Sequence, residues 1–153
     1  MNVIGIDPGK EGGIAIIDTT WAEMSGDPSP LTVHKMPATE HDVREILESI
    51  GRYRFAFIEA VSAMPGNGAV SMFTFGRSYG FLRGVLSALK LPFEDVRPLK
   101  WQTDLGCRSK GDKNATKATA QRLWPEVRFT HATADAALIA EYGRRTLAAR
   151  GQL

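Results

Sequence analysis

The chain has 153 residues, 43% hydrophobic and 24% charged, the proportions of an ordinary globule long enough for a real core. Its single cysteine, Cys107, excludes an internal disulfide and a cysteine-built zinc cluster. No apolar stretch approaches a membrane span and no signal-peptide pattern is present, so one domain over residues 1–153, with no membrane partner and a cytoplasmic location, is expected.

Val3, Ile4 and Ile6 predict a short buried strand that ends in Asp7 and then Pro8-Gly9. A carboxylate at the exit of a core strand is costly unless it is paired, hydrogen-bonded or bound to a cation. Gly12-Gly13 leads into a second apolar run at residues 14–17, close enough for an antiparallel hairpin. Residues 19–30 are polar and rich in Gly and Pro, which predicts a loop. Residues 31–36 alternate as a third strand, with His34 an outward residue.

Thr39 is placed to cap a helix with Glu40 and Asp42 in its first turn. Val43, Ile46, Leu47 and Ile50 form its apolar stripe, and Gly51 ends it. A fourth strand at residues 55–58 again exits into a carboxylate, Glu59. Residues 64–68, Met-Pro-Gly-Asn-Gly, predict a loop beside it. Residues 69–89 predict one long helix in which Gly76, Gly80 and Gly84 fall in register. Each interior glycine costs roughly 1 kcal/mol relative to alanine, so the strip implies another backbone close by: a second subunit or the helix's own sheet.

Residues 93–97 predict a fifth, weaker strand, residues 99–105 a short helix, and residues 108–113 a basic loop. A helix over residues 115–123 stops at Trp124-Pro125, and a last helix runs from His131 or Thr133 to about Arg150. Asp135, Leu138, Ile139 and Tyr142 share one face of it, so Asp135 is a third carboxylate directed at a core. Three hairpin-linked strands followed by alternating helices and strands predict an α/β fold: a mixed five-stranded sheet, its first three strands antiparallel, with helices on both faces.

The formal net charge of +2 hides an asymmetry. Residues 1–50 hold 3 Lys/Arg against 9 Asp/Glu, whereas residues 97–122 hold 7 against 2. A basic segment beside an acidic half points to a polyanion-binding face. Asp7, Glu59 and Asp135 lie on separate elements that can converge at one sheet edge, where they repel unless protonated or bridged by a cation. Oxygen-only ligands suit Mg²⁺ or Mn²⁺, and two such ions clamp the attacking and leaving oxygens of a phosphodiester. Carboxylates and basic segment together predict a nucleic-acid backbone as substrate. Lys110, Lys113 and Lys117, with Lys100 and Arg77, are the expected phosphate contacts, and Trp101 and Trp124 are expected core residues.

Residues 4–9 (Ile-Gly-Ile-Asp-Pro-Gly), the glutamate of Phe57-Ile58-Glu59, and residues 134–140 (Ala-Asp-Ala-Ala-Leu-Ile-Ala) resemble the RuvC family of Holliday junction resolvases. The glycine-bearing helix through residues 71–77 is similar to that of the short phage-type and chloroplast members. The resemblance covers nearly the whole chain in the family's element order. It implies an RNase H-like fold, a homodimer, and metal-dependent nicking of paired strands at four-way DNA junctions in recombination and repair. The corresponding location is the cytoplasm of a bacterial or phage-infected cell. Asp7, Glu59 and Asp135 match the family's acidic ligands, and Lys113, then Lys117, its catalytic-region lysines.

Two departures stand out. Where the family carries another acidic residue, or sometimes histidine, a turn before the final Asp, the candidate here is His131; as a ligand its imidazole would complete the set and favour Mn²⁺ relative to Mg²⁺, the alternative being a histidine that hydrogen-bonds the backbone at the helix start. Where bacterial members place an aromatic wedge, this chain has Ser62, leaving Met64 or Phe73 to open the junction. Competing expectations are a catalytically silent binder of branched DNA and a nuclease of the same fold acting on another branched DNA or an RNA–DNA hybrid. An actin-like ATPase needs two related domains and is disfavoured by the chain's length.

Overall fold

The structure, a computed structural model, describes residues 1–20, 30–62, 66, 68–108 and 112–153. Five strands, β1 (Asn2–Asp7), β2 (Gly13–Asp18), β3 (Leu31–Lys35), β4 (Arg54–Glu59) and β5 (Phe93–Val96), form one sheet in the order β3-β2-β1-β4-β5. The tight turn after Asp7 makes β1 and β2 antiparallel, and β3 continues that pattern. Helical crossovers make β1, β4 and β5 parallel. The five helices with defined bounds are α1 (Glu40–Ser49), α2 (Ala69–Ala88), α3 (Pro98–Asp104), α4 (Lys113–Leu123) and α5 (His131–Ala149).

Because strand side chains alternate, β1 feeds two cores. Val3, with Ala15, Ile17 and Phe57, packs under α5, α4 and α3. Ile4 and Ile6, with Ile14 and Ile58, pack against Val43 and Leu47 of α1 and Leu82 and Leu86 of α2. Helices therefore cover both faces, as the sequence pattern predicts. Thr39 caps α1 as expected, its Oγ1 accepting from the Asp42 backbone N–H at 3.1 Å.

A very close approach lies between α5 and β1. A Cβ placed on Gly5 would come within 2.2 Å of the Ala136 carbonyl oxygen and 2.3 Å of the Ala140 nitrogen. Gly13 of β2 similarly faces the Ala132 carbonyl oxygen at 2.8 Å, and Gly143 of α5 faces the Phe57 ring at 2.3 Å. Ala132, Ala136, Ala140 and Gly143 thus form a small-residue seam that seats the helix backbone directly on the sheet.

The other glycine series behaves differently. Positions that added Cβ atoms at Gly76, Gly80 and Gly84 would take are open, with nothing within 4 Å. The glycine strip of α2 therefore does not serve packing on its own sheet. Three further boundaries differ from the sequence expectation. Thr19 and Thr20 are helical, continuing from β2 rather than entering a loop. The helix read from residue 115 begins at Lys113, where Asp112 caps it by accepting from the Asn114 N–H at 2.9 Å. The helix read from residue 99 begins at Pro98, a residue suited to a first helical turn. The predicted loops at residues 21–29, most of 64–68 including Met64, and 109–111 lie outside the described residues.

Gly5→Ala tests the seam. The neighbours are helix backbone atoms that cannot rotate away, so the variant should lose at least about 3 kcal/mol or fail to fold. Urea titration followed by circular dichroism measures it, and an unchanged midpoint would mean that α5 does not sit where described.

Candidate active site

Asp7 and Glu59 are the last residues of adjacent parallel strands. The register pairs Ile6 with Ile58, so the next step sets Asp7 beside Glu59, with backbones about 4.8 Å apart. Both side chains project to the face covered by α5, the face of Val3 and Phe57. Gly5, pinned under Ala136, is two residues or about 7 Å below Asp7. Asp135 immediately precedes Ala136, and the seam therefore delivers it over the same sheet end.

The electrostatics agree with that convergence. Burial pushes the Glu59 pKa up to about 7, against a lowering hydrogen bond from Trp101 and with a further rise from the charge of Asp135. Trp101 Nε1 donates to Glu59 Oε2 at 2.8 Å. The ring is 1% exposed, so the expected core tryptophan also orients a site carboxylate. Asp135 is half-buried among fully buried alanines and leucines, with its Oδ1 shut off from solvent. Its charge also reaches Cys107, whose thiol pKa is raised first by burial and then by Asp135.

Among the described residues, no three His, Cys, Asp or Glu side chains already stand as a metal cage. The donor chemistry nevertheless suits a hard cation: oxygen ligands, shielded from water, in which ionising Glu59 is opposed by burial and by Asp135. A divalent ion at this sheet end would oppose both penalties.

The remaining expected site residues are distributed unevenly. His131 is the first residue of α5, one turn before Asp135, and is exposed. It borders an open-sided cleft of about 330 Å³ whose other walls include Lys10, Glu11, Gly12 and Lys35. Lys100 is engaged by Asp104, with Nζ 2.9 Å from Oδ2, and this partner raises its pKa. Arg77 is exposed on α2, and Lys117 is half-buried on α4. Lys110 and the side chain of Lys113 lie outside the described residues. Sequence reasoning missed the Trp101 bond, for which the available signal was a donor-only indole in a segment following a parallel strand. It also missed Lys10 and Lys35, two of only three basic residues in the acidic first third of the chain.

No family model matches the chain. A Holliday junction resolvase of Chlamydomonas reinhardtii, the chloroplastic MOC1, is 28% identical over 103 residues, which is 63% of this chain. The chain spans only 12% of that relative's length. Among solved structures, Thermus thermophilus RuvC bound to a Holliday junction substrate superposes with a TM-score of 0.68 at 16% identity, covering 99% of this chain and 97% of that one. A second Thermus thermophilus RuvC structure gives 0.66 at 17% identity, covering 99% and 98%. The chain has the RuvC fold, an RNase H-like mixed α/β sheet, in agreement with the resemblance read from its motifs.

The raised pKa of Glu59 has a consequence for stability. Below pH 4.5 the carboxyl is protonated in both folded and unfolded chains and contributes nothing. As pH rises from 4.5 to about 7, the unfolded chain releases this proton first, so folding loses up to about 3 kcal/mol. Glu59→Gln keeps an acceptor for Trp101 and removes the charge. Without divalent ions it should therefore melt higher than the parent at pH 8 and equally at pH 4. Added Mn²⁺ should raise the melting temperature of the parent more than that of the variant. Equal melting at pH 8 would contradict the buried, repelled carboxylate.

Proposed function

We propose that the protein is a metal-dependent endonuclease that cuts branched DNA, with the four-way junction as its preferred substrate and residues 1–153 acting as one nuclease unit. The observation that carries this reading is the row of Asp7 and Glu59 at adjacent strand ends with Asp135 set over them by α5. The likeness to a curated junction resolvase and to RuvC supports the choice of substrate.

Asp7, Glu59 and Asp135 would hold Mg²⁺ or Mn²⁺, two ions per site, with His131 as a further ligand. Bound there, the ions supply an activated water and neutralise charge on the departing oxygen. The chain's own part is to position and shield. Trp101 fixes one Glu59 oxygen, the alanine-rich seam keeps water from the inner side of Asp135, and α5 sets the height of that carboxylate above the strand ends. Arg77, Lys110, Lys113 and Lys117 would meet backbone phosphates. Lys100 would join them only by releasing Asp104, a small cost for an exposed pair.

The active unit is read as a homodimer formed through α2. Its glycine strip faces open space, and Phe73 and Val70 on the same helix are 74% and 80% exposed. Glycines kept in a helix without a neighbour in their own chain are costly, and a second copy of the helix supplies the missing contact. Two-fold symmetry matches a substrate that needs two symmetric cuts.

Three measurements test the reading. In a panel of labelled junctions, flaps and RNA–DNA hybrids, the junction should be nicked fastest with Mg²⁺ or Mn²⁺. Asp7→Asn, Glu59→Gln and Asp135→Asn should each lose orders of magnitude in rate while still binding it. Preferred cutting of a hybrid would move the protein to another nuclease class. His131→Asp should retain cleavage and shift preference towards Mg²⁺, whereas His131→Ala should cripple it; unchanged Mn²⁺-supported cleavage in the alanine variant would remove His131 from the ligand set. Gly80→Ala should stabilise the isolated helix by roughly 1 kcal/mol yet weaken the dimer. Light scattering that finds an active monomer would overturn the dimer.

A further inference from the structure

We infer that Lys10 and Lys35 hold backbone phosphates of the strand being cut, on the β3 side of the carboxylates. The inference deepens the nuclease reading and rests on it for the nature of the ligand.

The sheet rim sets the arrangement. Gly13 pairs with Asp7 on one side and with Lys35 on the other, so the strand ends run Lys35, Gly13, Asp7, Glu59 in space. At about 4.8 Å per strand, the Lys35 backbone stands about 10 Å from that of Asp7. Lys10, in the turn between β1 and β2, borders the same cleft as Lys35. Both lysines are exposed, and among the described residues neither is in an ion pair. Among the described residues of the lining, Glu11 is the one acid, against two lysines.

The turn that carries Lys10 is tightly packed: a Cβ at Gly12 or Gly13 would strike main-chain oxygen, that of Asp7 at 2.0 Å or of Ala132 at 2.8 Å. The Met36 N–H donates to the Gly12 carbonyl at 2.9 Å and ties the end of β3 to the turn, so the two lysines are mounted on one rigid unit. An open-sided cleft with two lysines in its lining fits a chain passing across it rather than an enclosed small molecule. A strand with its reacting phosphate at Asp7 and Glu59 runs along the rim, and its neighbouring phosphates fall at Lys35 and Lys10.

The test is the salt dependence of junction affinity. Fluorescence anisotropy of a labelled four-way DNA junction is measured between 50 and about 300 mM KCl without divalent ions, so that no cutting occurs. Each phosphate contact contributes roughly 0.7 to 0.9 to the slope of log affinity against log salt. The double variant Lys10→Gln/Lys35→Gln should lower that slope by about 1.5, with an unchanged melting temperature. Arg52 and Lys90 precede β4 and β5 at the far end of the sheet, and Arg52→Gln/Lys90→Gln should leave the slope as it is. An unchanged slope in the first variant, or an equal fall in the control, would overturn the assignment. The nuclease reading fails separately, when the parent protein with Mn²⁺ cuts no nucleic acid in the panel, whatever its binding slope.

Discussion

The close approach of α5 to β1 at Gly5 is the constraint on which the rest of the molecule depends. A helix normally rides about 10 Å above a sheet on a layer of side chains. Here Gly5, Gly13 and the Ala132–Ala136–Ala140–Gly143 seam remove that layer, and the helix backbone meets the strand. Lowering the helix places Asp135 near enough to the strand ends for its charge to act on Glu59. With a valine at Gly5 the same three carboxylates would be present in sequence and separated in space.

This placement has an electrostatic cost that the fold does not relieve by itself. Glu59 sits under an indole and beside another carboxylate, and its ionisation is opposed by burial more than the Trp101 hydrogen bond favours it. Glu141 on the same helix shows the contrasting solution. It is only 5% exposed, yet Arg144 and Arg145 donate to it at 2.7 and 2.8 Å, and its pKa is lowered despite desolvation. The chain therefore neutralises a buried carboxylate with arginines where it needs only structure. Among the described residues, no arginine or lysine acts on Glu59 at the sheet end. A carboxylate site whose ionisation is opposed in this way is suited to a cation supplied from outside.

Much of this was legible in the sequence because it is written in local patterns. Short β-branched runs ending in Asp7 and Glu59 mark strands and their exits, and the stripe through Asp135 marks a carboxylate on a buried helix face. What was not legible depends on pairs distant in the chain. Trp101 meets Glu59 across 42 positions, and nothing in the spacing of either announces the other. The glycine patterns were harder still. Gly76, Gly80 and Gly84 attract notice because they repeat, whereas Gly5, Gly13 and Gly143 are scattered and make the tight contacts within the chain. Charge counting had a similar blind spot: averaging over the acidic first third hides Lys10 and Lys35, which only strand pairing brings to one rim.

The central claim is that the fold assembles Asp7, Glu59 and Asp135 into one divalent-cation site. The most direct measurement is anomalous diffraction from crystals of the protein grown with Mn²⁺. The account predicts manganese density at the β1–β4 strand ends, within bonding distance of oxygens from all three carboxylates. Manganese found only elsewhere on the molecule, or held there by one carboxylate with the other two turned away, would contradict it.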